Sequence, residues 1–253
     1  MIYDVQKASV LKRVSAWMLD FILLLVLTVG LGALVSFVTG YDSYNQQLLS
    51  GYHRYESQYG VEFEVDQQQW ETMTEAEQQR YTEAYEALLA DEEVMYAYNM
   101  VINLMLVSVS VSFLGAYLVL EYAVPLMLKN GQTLGKKVFA LALMRSDGIR
   151  ITPFMLFVRT VLGKYTIETM IPVLIGLMVI LGAIGLIGPT IVFILLITQV
   201  VMLIATRHNI LIHDFISHTV VVDLSSQMIF DTPEQLVAYK QRVAAEKTAQ
   251  QDY

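Results

Sequence analysis

Residues 169–206 run for thirty-eight positions without a charged side chain. As a helix that run is about 57 Å long, nearly twice the roughly 30 Å hydrocarbon core of a bilayer. It therefore predicts two membrane spans, with Gly188-Pro189 near the midpoint as the break. Gly176, Gly182 and Gly185 permit close helix contact, although their spacing is not that of a GxxxG motif. Two further uncharged runs, residues 21–39 and 99–120, are nineteen and twenty-two residues long. Each is long enough to cross once. Charged residues make up only 16% of the chain, against about a quarter in soluble domains. An all-α, polytopic membrane protein with four transmembrane helices is the expected frame.

Charge placement orients that frame. Residues 40–98 hold thirteen Asp or Glu and two Arg, a local net of −11. Residues 129–150 carry Lys129, Lys136, Lys137, Arg145 and Arg150 against Asp147 alone, and Lys7, Lys12 and Arg13 precede the first run. Positive-inside counting places both termini in the cytoplasm of a cell-membrane protein and the acidic segment outside. The first apolar run is longer than a signal-peptide core and lacks a small-residue cleavage site, so it reads as a retained helix. Residues 1–39 form a cytoplasmic head and first span, 40–98 the acidic outer loop, and 99–128 the second span. Residues 129–168 form a basic cytoplasmic loop with an interfacial helix, 169–206 the third and fourth spans, and 207–253 a cytoplasmic tail.

Residues 40–71 show little periodicity. A helix follows them, opened by the capping box Thr74/Glu77, with an apolar face at Tyr81, Ala84, Tyr85, Leu88 and Leu89. The acids of this loop invite a cation-binding reading, but they lack the pattern of an EF-hand loop and are expected to form a solvated face. In the basic loop, residues 138–144 have extended, apolar character. Thr219-Val220-Val221-Val222 is expected to pair with Val138-Phe139-Ala140-Leu141 as a small β-like element. Thr152-Pro153 opens the next helix. Arg159, Lys164 and Glu168 interrupt it, which places it in the membrane interface. Were it a span instead, those charges would lie deep in the membrane and favour transport. In the tail, Thr232 caps a last helix, with Pro233 at its first position.

The polar residues of the spans form one constellation. Arg13 and Asp20 are seven residues apart, two turns or about 10 Å along one helix face. A carboxylate at that position needs a partner or water. Arg13 either snorkels or pairs with Asp20, or one of the two meets Asp214. Asn103 and Glu121 are the candidate polar lining of the second span, joined by Arg159 and Lys164 if their helix also crosses.

Three motifs in order carry a family resemblance: Arg13-Val-Ser-Ala-Trp-Met-Leu-Asp20, Gly131-Gln-Thr133-Leu-Gly135-Lys136-Lys137, and His213-Asp214 followed by Thr219-Val-Val-Val222. Together, over residues 7–222, the chain resembles the RDD family of membrane proteins, named for one arginine and two aspartates. The resemblance implies a helical membrane fold and a suspected transport role. Family members usually carry an Ala-Gly pair where this chain has Ser217 and His218, a place where glycine would permit an unusual backbone conformation.

Several chemistries find no support. The chain has no cysteine, which removes disulfides and thiol catalysis. Gly135-Lys136-Lys137 lacks the remaining glycines and the hydroxyl of a phosphate loop. His213 and His218, five residues apart, suit structural pairing better than metal ligation. No nucleophile–base pair or HExxH stands out, so a membrane enzyme with Asp20 or Asp214 as its base is a lesser reading, no metal or cofactor is expected, and the few basic residues do not suit nucleic acid. Two roles remain. One is transport of an ion or small solute by buried Arg/Asp groups, in a homodimer because four spans are few. The other is a non-catalytic scaffold, sensor or accessory subunit of an envelope or secretion complex. Membrane lipids are partners in both.

Overall fold

The computed structural model describes residues 4–128 and 130–251, so Lys129 of the basic loop lies outside the described residues. The first elements are α1 (Val10–Thr39), α2 (Tyr41–Tyr59), α3 (Gln67–Thr72), α4 (Glu75–Ala90) and α5 (Glu92–Met127). They are followed by α6 (Leu134–Val138), β1 (Leu141–Arg145), α7 (Pro153–Ile180) and α8 (Ile187–Ala205). The last are α9 (Ile212–Ile216), β2 (Thr219–Asp223) and α10 (Pro233–Gln251). The fold is mostly helical. Helices α1, α5, α7 and α8 are long and apolar enough to cross a membrane, as many as the charge-free runs imply. The chain is a multi-pass membrane protein.

Two compact units make up the chain, one of residues up to Thr28 and from Phe113 onward, the other Val29–Ser112. In the second unit, α2 and α4 pack around Leu48, Leu88, Val94, Ala97 and Val101, with Tyr44, Tyr52, Tyr55 and Phe63 against them. Residues 41–59, expected to be irregular, are helical. Tyr41, Tyr44, Leu48, Tyr52, Tyr55 and Tyr59 recur at three and four, so the tyrosines supply the apolar face of α2. Gly51 lets α5 approach it, since a Cβ there would sit 2.6 Å from Val94 Cγ2. The capping box expected at Thr74 and Glu77 is formed, and Asp66 with Gln69 makes another at α3.

The first unit departs from expectation at its third span. Residues 153–168 are not a separate interfacial helix but the first half of α7, which runs unbroken for 28 residues. Arg159, Lys164 and Glu168 do not end the helix, because each is turned inward onto a partner from another element, Asp214, Glu121 and His213 respectively. The turn to α8 also falls earlier than Gly188-Pro189. Gly182, at φ 68, ends α7 in a left-handed conformation, with Ala183 N–H donating to Met178 O and Gly182 N–H to Val179 O. That pairing closes a helix end on a residue without Cβ strain. Pro189 then falls in the first turn of α8, where its missing N–H costs nothing. Within α7, residues Val158–Met170 form a wide π-helical stretch, and Leu118–Ala123 of α5 form another. Ile171 N–H donates to Thr166 O and Val124 N–H to Val119 O, each five residues back.

Strands β1 and β2 pair antiparallel, with Leu141 opposite Asp223 and Arg145 opposite Thr219. The second strand is where it was expected. The first begins three residues later, because Val138 ends α6 and Ala140 takes a left-handed turn at φ 54. One face of the sheet packs Leu141, Leu143 and Val221 on Ala16 and Leu156; the other packs Ala142, Met144, Val220 and Val222 on Val5 and Ile210. Two strands alone are marginal in water, and burial of both faces explains the run of apolar residues.

His218 stands where the resemblance implies a glycine, and it holds φ 51. The glycine conformation is thus kept by a residue for which it costs roughly 1–2 kcal/mol. We expect His218→Gly to raise stability by about 1 kcal/mol, offset in part by the greater freedom of glycine in the unfolded chain. A thermal melt of the purified variant no higher than wild type would contradict this.

Candidate functional site

The centre of the first unit is Asp214, in the short helix α9 and 0% exposed. Arg159 of α7 donates Nη2 (2.8 Å) and Nε (3.2 Å) to its Oδ1. Arg13 of α1 donates Nη2 to its Oδ2 at 3.1 Å. The same Oδ2 accepts the Leu211 N–H at 3.2 Å, so the carboxylate also caps the helix that carries it. Thr219 Oγ1 lies 3.4 Å from Oδ1 and 2.8 Å from Ser217 Oγ. Arg13 further donates to the backbone carbonyls of His208 and Asn209. Of the pairings open to Arg13, the structure selects Asp214. Burial opposes charge on Asp214, and the basic groups His213, Arg159 and Arg13 outweigh it, holding the carboxyl well below the usual range.

His213 sits beside it. A Cβ on Gly163 would come within 2.5 Å of His213 Cβ and 2.7 Å of its Cα, so the glycine is what lets α9 lie on α7. His213 Nδ1 is 2.7 Å from Glu168 Oε2, and the His213 N–H donates to Oε1 at 3.0 Å. A carboxylate only accepts, so Nδ1 carries the ring proton. Burial first, then repulsion from Arg159, pushes the imidazole below its ordinary value. His213 therefore gives up its charge more readily than a free imidazole, and the two guanidinium groups are the permanent cations beside Asp214.

Asp20 takes a different partner, the start of α6. Thr133 Oγ1 and the Gly135 N–H (2.7 Å) donate to its two oxygens. Gly135 is required by that contact, since a Cβ there would sit 2.2 Å from Ala16 O. Gly131, at φ 60, turns the chain into the motif and lies where a Cβ would meet Leu143 Cβ at 2.9 Å. Lys136 is buried, with Nζ 3.1 Å from Thr133 Oγ1 and 3.9 Å from Asp20 Oδ2. Burial, then repulsion from Lys164, lowers it to about 8, with Glu121 opposing the shift and Arg159 adding to it.

The third group joins the two π-helical stretches. Lys164 Nζ is 2.6 Å from Glu121 Oε1, and Thr160 Oγ1 donates to Glu121 O at 2.9 Å. Both side chains are buried, yet Glu121 Oε2 has no hydrogen-bond partner among the described residues, nor has Arg159 Nη1. Glu121 and Lys164 line a cavity of about 310 Å³ together with Asp20, Glu168, His213 and Gln199; Leu24, Leu195 and Leu196 form part of its apolar wall. Wide π turns of this kind often mark functional positions. Asn103, the remaining candidate lining residue, is exposed and belongs to the other unit.

Sequence reasoning missed Glu168 and Gln199. Glu168, which the sequence shows only as one of the charges interrupting its helix, serves His213, while Lys164 turns to Glu121. Gln199, alone in a helix otherwise almost wholly apolar, was the available signal: its Oε1 accepts the Ile212 N–H at 3.2 Å. His218 is exposed whereas His213 is buried, and no cluster of three or more His, Asp or Glu suited to a metal occurs among the described residues.

Comparison with curated proteins and with solved structures gives no match. A family model described as RDD family matches residues 7–218, which includes Arg13, Asp20, the Gly131–Lys136 motif and Asp214. The residues that build the buried charge network thus lie within the matched span, and the chain belongs to the RDD family.

Proposed function

We propose that this protein is a non-enzymatic transporter that moves an ion or small solute through the cavity lined by Asp20, Glu121, Lys164 and His213. The observation that carries this reading is Glu121. One of its oxygens is paired with Lys164 while the other, buried beside the cavity that Glu121 lines, has no donor among the described residues. Leaving such an acceptor dry costs about 1–3 kcal/mol or more. A purely structural clamp gains nothing from it, whereas a cation or a solute donor would fill it. Lys164 and Glu168 also lie near the middle of α7, where ionisable groups are expensive and are the usual means of coupling charge to movement. Positive-inside counting puts the Lys136 and Asp214 end in the cytoplasm. Four spans enclose little space, so the reading carries a homodimer.

A membrane scaffold, sensor or accessory subunit would hold its charges in closed pairs. The Arg13–Asp214–Arg159 set fits that description in part, and it serves here as the frame on which the cavity is built. The test is flux in proteoliposomes under imposed proton and sodium gradients, wild type against Glu121→Gln. Expected is gradient-dependent flux that falls about tenfold or more in the variant, the scale of one charged contact, with unchanged elution and melting. Wild type without flux, or a variant as active as wild type, would remove this reading.

A further inference from the structure

Beside the cavity described above lies a second, of about 400 Å³. The two share Trp17, Asp20, Lys164, Leu211 and His213 in their walls but differ in charge. Asp20, Glu121 and Glu168 line the first against Lys164 alone. Arg13, Lys136, Arg159 and Lys164 line the second against Asp20 alone. Two of these cations have donors to spare. Arg159 is 1% exposed, yet its Nη1 has no partner among the described residues. Lys136 Nζ, also buried, reaches a neutral hydroxyl and stands 3.9 Å from its nearest carboxylate oxygen in Asp20. Burial first, then repulsion from Lys164 and Arg159, holds Lys136 below its ordinary value. Lys164 is matched by Glu121 and Lys136 by Asp20, while Arg13 and Arg159 share the single carboxylate of Asp214, so one positive charge is left over among these pairs.

The rest of its wall is apolar, with Val14, Trp17, Leu141, Val200 and Leu203 among the lining residues. That wall also opens sideways. Val14, Trp17 and Val200 are 40%, 57% and 55% exposed, and all three stand on helices long and apolar enough to cross a membrane. Their outward surface therefore meets acyl chains rather than water. A buried guanidinium and ammonium at the head of an apolar slot that opens to lipid match one ligand chemistry, an anionic phosphate carried on a hydrocarbon chain.

We propose that this cavity binds one anionic phospholipid, its phosphate held by Lys136 and Arg159 Nη1 and an acyl chain laid along Val14, Trp17 and Val200. A zwitterionic headgroup brings its own cation into a pocket already rich in positive charge. Free phosphate would satisfy the donors and leave the apolar wall bare. The site shares Asp20, Lys164 and His213 with the cavity proposed for transport but does not include Glu121, and its test does not depend on flux.

The experiment is native mass spectrometry and thermal melting of the full chain, delipidated in detergent and supplied with phosphatidylglycerol, phosphatidylcholine or inorganic phosphate. One phosphatidylglycerol should stay bound per chain and raise the melting temperature, with neither phosphatidylcholine nor inorganic phosphate doing so. Lys136→Gln should weaken phosphatidylglycerol binding about tenfold or more, the scale of one charge-assisted contact. Lys137→Gln, the same charge change on the exposed neighbour, should bind as wild type. Should Lys136→Gln prove unstable, Val14→Trp, which fills the slot from its exposed rim, is the second variant and should exclude the lipid while leaving the melt of lipid-free protein near wild type. Equal binding of phosphatidylcholine, an equal shift with inorganic phosphate, or undiminished binding by both variants would each overturn the proposal.

Discussion

Asp214→Ala is expected to destabilise the protein by about 3–5 kcal/mol, the range found when one partner of a buried ion pair is removed and the other is left behind. Here two partners would be left. Arg159 and Arg13 are 1% and 8% exposed, and Asp214 is the carboxylate to which both donate. The change also uncaps α9, because the Leu211 N–H loses its acceptor. In a chain of this length that cost lowers the melting temperature by roughly 6–20 °C. Asp214→Asn should recover only part of it, since the shape remains while the charge that offsets two guanidinium groups does not. Heating detergent extracts and reading the surviving monodisperse peak by size exclusion gives the comparison. Glu86→Gln, on the exposed face of α4, serves as the control and should stay within about 0.5 kcal/mol of wild type. An Asp214→Ala protein that melts with wild type would mean that the clamp contributes no stability.

The span count was legible because it rests on a local quantity, the length of chain between charges. The caps were legible for the same reason: Thr74, Thr152 and Thr232 each act on an N–H three residues away. What failed was every inference that needed a distant partner. Arg159, Lys164 and Glu168 looked like barriers to a span, and they are tolerated because Asp214, Glu121 and His213 neutralise or bond them from other elements. Helical spacing kept Asp20 and Asp214 equally open to Arg13; the choice follows from α6, whose hydroxyl and amide groups claim Asp20. Residues 40–71 show little periodicity in aliphatic side chains because the packing face of α2 is built largely from tyrosine rings. The π-helical stretches have no local signature in the sequence; the contact between them, Glu121 with Lys164, joins distant parts of the chain.

Gly135→Ala should cost about 2–3 kcal/mol, an overpacking penalty with little room to relax. The added methyl would meet the Ala16 carbonyl oxygen at 2.2 Å and the Asp20 carboxylate at 2.9 Å. The first is backbone in the middle of a helix turn, and the second is held in place by the Gly135 N–H itself. Neither can yield by rotating a side chain, so α6 must lift from α1. Lifting it breaks both bonds to Asp20 and carries Lys136 away with the same short helix. Gly176→Ala is the matched contrast. Gly176 lies inside α7 with nothing within 4 Å of an added Cβ, and alanine is the better helix former by up to about 1 kcal/mol. One glycine-to-alanine change is therefore expected to lower the melting temperature and the other to hold or raise it. A Gly135→Ala protein that melts with or above wild type would mean that α6 does not rest on α1 at this distance, and the placement of Asp20 and Lys136 would fall with it.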